Sequence, residues 1–146
     1  MGSHLELKTP HFWGVLQPLG SSARLHVVAD YGMVIDGYVI NASALVNGTT
    51  IDFVPLAELP RHLTVYHVET ETHDVILANG AASETFIDVA GRAAFDNYQD
   101  YLDLYGVERI VPEMNVPRIS ARRMVPFRIR QTLDIPEDGP ASCIAV

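Results

Sequence analysis

Three dipeptides constrain this chain more than anything else in it. Asp36-Gly37 separates Met33-Val34-Ile35 from Tyr38-Val39-Ile40, and Asn47-Gly48 separates Ala44-Leu45-Val46 from Thr49-Thr50-Ile51. Asn79-Gly80 follows Val75-Ile76-Leu77-Ala78. Asn-Gly and Asp-Gly supply the positive φ angles that a tight two-residue turn demands, so each dipeptide reads as a β-hairpin. Leu63 to Glu69 and His73 to Ala78 read as further strands. The expected class is therefore mainly β and antiparallel, in a chain of 146 residues, long enough for one domain with its own core.

One helix is expected near 92–105. Phe95, Tyr98, Leu102 and Tyr105 fall at spacings of three, four and three, which places them on one stripe that would cover a side of the sheet. Gly106 stands where a left-handed residue would stop it.

Composition excludes several classes. At 48% hydrophobic and 19% charged residues, the chain is too apolar for intrinsic disorder. It has no uninterrupted apolar stretch of about 18 residues, so no membrane helix is expected. A net charge of −8 argues against a nucleic-acid binder, whose phosphate-facing surface would need a basic excess. Cys143 is the only cysteine, which excludes an intrachain disulfide framework or a cysteine-based zinc site and leaves the compartment unknown.

Residues 1–6 read as an expression scar and are set aside from fold reasoning. Residues 7–106 read as the β domain with its covering helix, 107–134 as a Pro/Arg-rich docking segment and 135–146 as a flexible tail. The charge distribution supports the docking segment. Between Asp52 and Glu108 there are eleven acids against Arg61 and Arg92, whereas Arg118 to Arg130 holds five arginines and no acid. Docking on the acidic body, in the same chain or a neighbour, is favoured over a free basic arm, because Met124-Val125-Pro126-Phe127 is an apolar run that wants burial.

Phosphate loops, dinucleotide turns, nucleophile elbows and metalloprotease helices are all absent. The one dense polar run is Tyr66 to Asp74. On a continuous strand His67, Glu69, Glu71 and His73 would share a face and could hold a divalent metal. A hydrated turn accounts for the same residues more simply, so no metal or other cofactor is expected. His11, His26 and His62 read as surface or packed histidines.

Val65-Tyr66-His67-Val68-Glu69-Thr70-Glu71-Thr72-His73-Asp74-Val75-Ile76-Leu77-Ala78-Asn79-Gly80 resembles the late block of hedgehog/intein (Hint) domains. That block reads Val-Tyr-Asp, a short strand, then His, an apolar pair and Ala-Asn-Gly. Val28 to Gly37 is similar to the block in which Thr/Ser-x-x-His leads into an aliphatic strand and an Asp-Gly turn. Ala44 to Ile51, Glu84 to Asp88 and Gly91 to Phe95 resemble bacterial Hint-type proteins in particular. The likeness spans about residues 24–105.

The resemblance implies a Hint-like antiparallel β horseshoe, complete or lacking its early half, that cleaves its own backbone. An N-terminal Cys or Ser attacks the preceding carbonyl, turning the amide into a (thio)ester, while the Thr/Ser-x-x-His block protonates the scissile amide. Carried over residue by residue, the match is degraded. Val28 stands for the Thr/Ser and Tyr31 for the His. His73 matches the late-block His, and His67 stands where splicing members often carry Asp, so these two are the candidate catalytic residues. The terminal His-Asn falls near Ser83-Glu84, which cannot cyclise as asparagine does. No N-terminal nucleophile is identified. The expectation is a Hint domain that has lost self-cleavage and serves as a structural or interaction module, the alternative being a split half whose partner segment supplies the nucleophile. Strand edges exposed by a missing half lead to a further expectation, a homo-oligomer with Arg118 to Arg130 as the clasp.

Overall fold

The protein is described here by a computed structural model covering residues 2–6, 13–16, 24–61, 63–87 and 91–137. His11, His62, Cys143 and the tail from residue 138 lie outside the described residues.

The chain is mainly β. Strands β1 (Gly2–Glu6), β2 (Trp13–Leu16), β3 (Leu25–Val28), β4 (Gly32–Ile35) and β5 (Tyr38–Asn41) are followed by β6 (Ile51–Val54) and β7 (Thr64–Val68). Then come β8 (Val75–Ala78), β9 (Ala81–Glu84), helix α1 (Tyr98–Tyr105), the short β10 (Arg118–Ile119) and helix α2 (Phe127–Thr132). They form a five-stranded sheet in the order β10-β5-β4-β9-β8, a three-stranded sheet β3-β2-β6 and the pair β1-β7. All pairings are antiparallel except β10 with β5. The segment set aside as a scar thus supplies a strand, with Leu5 opposite Val65. Among the described residues no helix is long and apolar enough to cross a membrane.

Two of the three turn dipeptides are hairpins. Asp36 and Gly37 take φ 48° and 80° between β4 and β5, and Asn79 and Gly80 take 49° and 85° between β8 and β9. Positive φ at both central residues is the backbone twist that matches a right-handed β-ribbon. Asn47-Gly48 is not a hairpin. The residues before it, Ala42–Leu45, wind into a 3-10 turn whose Ala42, Ala44 and Leu45 are buried. Asn47 instead organises a loop: its Oδ1 accepts from the Thr49 and Ile51 amides, and its Nδ2 donates to the Leu133 carbonyl.

The helix begins later than its sequence spacing predicts. Arg92–Ala94 is a 3-10 turn, α1 starts at Tyr98, and its buried residue is Tyr101 rather than the 95/98/102/105 stripe. Phe95 is buried ahead of the helix, against Phe86. Gly106 ends α1 with φ 76° and donates its N–H to the Leu102 carbonyl. A second helix, α2, lies in the Arg-rich segment where only docking was expected.

That segment docks on its own chain. The core gathers Val27, Met33, Ile40, Leu45 and Ile51 together with Ile119, Val125, Ile129 and Ile135. Ile135, assigned to the tail from sequence, is a core residue. Of the apolar run, Val125 is buried while Met124 and Phe127 remain exposed.

Candidate functional site

Strand β9 ends at Glu84, and the donors around that carboxylate define the site. Gly32, the first residue of β4, donates its N–H to Glu84 Oε1 over 2.8 Å. A Cβ at position 32 would lie 2.2 Å from that oxygen, so only glycine allows the approach. His73 Nε2 lies 3.0 Å from Glu84 Oε2. Arg118 of β10 reaches both oxygens through its two terminal nitrogens and sends Nε to Glu113. Glu84 and His73 are buried. A carboxylate out of water is tolerated because four donors replace its hydration. The same bonds hold the Arg118 guanidinium above its ordinary pKa.

The ring of His73 is fixed from both sides. The Met114 amide donates to Nδ1 over 3.0 Å, so Nδ1 is an acceptor without hydrogen. The hydrogen therefore sits on Nε2 and points at Glu84. Both ring nitrogens are thus hydrogen-bonded within the protein.

Tyr31 closes the cluster. Its hydroxyl donates to the Glu84 carbonyl over 2.8 Å. Burial, with the Glu84 charge as a smaller cause, pushes its pKa up to about 12. The ring lies edge-on to His67, with centroids 6.1 Å apart, and His67 also meets Phe86 and Phe95 edge-on at 5.8 and 5.4 Å. Burial lowers the His67 pKa, so the imidazole behaves here as a neutral aromatic. Val28, at the end of β3, is buried and has no hydroxyl to offer.

The sequence candidates thus converge in part: Tyr31 touches His67, and Tyr31 and His73 both bond Glu84. The four-residue metal face does not exist, because β7 stops at Val68 and the chain turns before β8. Glu69 leaves that face to pair with Arg92 Nε at 2.8 Å and Arg109 at 3.1 Å. Burial alone would raise the Glu69 pKa, but these two guanidiniums outweigh it and hold the carboxyl below its ordinary value. Among the described residues no group of three His, Cys, Asp or Glu is placed to hold a metal ion. Sequence reasoning missed Glu84, Arg118 and the Met114 amide as members of the site. The available signal was an acid closing the apolar strand that Asn79-Gly80 turns back, with Gly32 on the neighbouring strand.

Comparison with known families settles the ancestry. The Hint domain family model matches residues 14–90, more than half of the chain. The protein belongs to the Hint domain family. No curated protein and no solved structure matches it. The mainly β architecture is that of a Hint-like fold, and the match runs through β2 to β9, taking in Val28, Tyr31, His67, His73 and Glu84. The donors on Arg118 and Met114 lie beyond it.

Proposed function

We propose that this Hint domain performs no autoprocessing and acts as a structural or interaction module. The observation that carries the reading is the closed hydrogen-bond circuit at His73. The residue that matches the family's late-block histidine has its Nδ1 lone pair committed to the Met114 amide and its Nε2 hydrogen committed to Glu84. Val28, in the Thr/Ser position, brings no hydroxyl, and Tyr31, in the His position, brings no imidazole and commits its own hydroxyl to the Glu84 carbonyl. General acid–base assistance is worth about 10²–10⁴-fold, so losing both groups removes most of the help that such a cleavage needs. His67 and His73 keep their places as structural residues, one as an aromatic wedge and the other as a strut between Glu84 and the C-terminal segment.

The test is a fusion in which a native upstream segment precedes the domain. Incubated with thiol or hydroxylamine, it stays intact by mass spectrometry, and accumulation of a cleaved fragment overturns the reading. The double substitution Val28→Thr with Tyr31→His does not restore cleavage, because no nucleophile is supplied. Cleavage that begins when a separate cysteine-bearing segment is added would establish instead a split half that needs its partner.

A further inference from the structure

The apolar run expected to be buried is only half so, and what it leaves outside has a counterpart elsewhere on the molecule. Met124 and Phe127 are 58% and 61% exposed around the buried Val125. They are flanked by Arg123 and Arg128, both exposed and without an acidic partner among the described residues. At the end of α1 the reverse arrangement occurs. Leu104, Val107 and Ile110 are 57%, 67% and 95% exposed. Asp100, Asp103 and Leu104 lie at the spacing of one exposed face of α1, and Val107 and Ile110 follow in the chain just past Gly106. One patch is apolar with a basic rim, the other apolar with an acidic rim.

We infer that the Met124/Phe127 patch of one copy docks on the Leu104/Val107/Ile110 patch of a second copy, Arg123 and Arg128 facing Asp100 and Asp103. This rests on the interaction-module part of the proposed function and names the partner. A second copy offers complementarity in both respects at once: each surface has apolar area that wants covering, and the rims carry opposite charge. The contact joins different surfaces on the two copies, which is a heterologous association. Two or three exposed apolar side chains on each copy fall well short of the roughly 20–30 residues a side of a standard interface, so the association is weak and concentration-dependent. The edge strand β8, with Val75 and Leu77 exposed, is the competing surface, and association through it would ignore salt and charge reversal.

The experiment is sedimentation of the full chain over a concentration series. The weight-average mass climbs above 16.1 kDa and falls back in raised salt. Arg123→Glu with Arg128→Glu, or Asp100→Lys with Asp103→Lys, lowers the association constant by about tenfold or more, because like charges then oppose one another. Mixing the two reversed variants restores association, since each then meets its complement, and that recovery shows that both are folded. Leu104→Ser with Val107→Ser also weakens it while leaving the rims unchanged. A mass of 16.1 kDa at every concentration overturns the inference. So does association that ignores salt and charge reversal, or reversed variants that fail to recover on mixing. The fusion assay is untouched by any of these results, so failure here and failure of the inactive reading are distinguishable.

Discussion

Glu84 is held from four directions, and Gly32 is the residue that makes room for it. A methyl at position 32 would lie 2.2 Å from Glu84 Oε1 and 2.5 Å from Val39 Cγ1, so either the carboxylate or the strand must move. We expect Gly32→Ala to lower unfolding free energy by about 3 kcal/mol, at the upper end for overpacking a tight site, measured by urea denaturation. A loss near zero would mean that the carboxylate relocates without penalty. The candidates His73, His67, Val28 and Tyr31 were readable because a family pattern marks their spacing. Glu84 and Arg118 were not, because their pairing spans 34 residues and depends on how β10 is laid beside β5. Arg118, one of five arginines in its segment, does not stand out in its own neighbourhood of sequence.

At the scale of elements, turn chemistry was legible where two strands flank it and illegible where they do not. Asp36-Gly37 and Asn79-Gly80 sit between runs that can pair, and they do. Asn47-Gly48 carries the same local signal, but Ala42–Leu45 gains more by burying Ala42, Ala44 and Leu45 in a 3-10 turn than it would in a ladder. Asn47 then serves the loop through its side chain. Replacing it by Ala removes acceptors for the Thr49 and Ile51 amides and the donor to Leu133, and should lower stability by about 1–3 kcal/mol. A thermal melt of Asn47→Ala checks this, and an unchanged midpoint would show that water replaces all three bonds. The helix stripe failed for a related reason. Phe95 satisfies its burial against Phe86 before the helix begins, so periodicity counted from it runs out of phase with the face that Tyr101 buries.

At the scale of the whole molecule, His67 and Glu69, among the described residues, make stability fall with acid in separate windows. His67 has a folded pKa below its ordinary 6.5, so below pH 6.5 the unfolded chain takes up a proton that the folded one resists, and stability declines. Glu69 has a folded pKa below its ordinary 4.5, so its contribution is complete above that pH and is lost as pH falls through the folded value. We expect unfolding midpoints to be level from neutrality to pH 10.0, to fall above it as the unfolded chain gives up the proton that folded Tyr31 keeps, to drop as pH falls below 6.5, and to drop further below 4.5. His67→Phe keeps an aromatic between Tyr31 and Phe95 and should flatten the first decline while leaving the second. A first decline unchanged in that variant would place its origin elsewhere.

The parallel pairing of β10 with β5 has a consequence in time. Arg118 lies opposite Val39, 79 positions away along the chain, and the core that β4 and β5 begin is completed by Val125, Ile129 and Ile135. During synthesis from the N-terminus the early hairpins emerge with one side still wet, and they stay open until residue 135 has left the ribosome. Ribosome-held chains ending before that point should be cut readily by protease, with protection arriving in a single step.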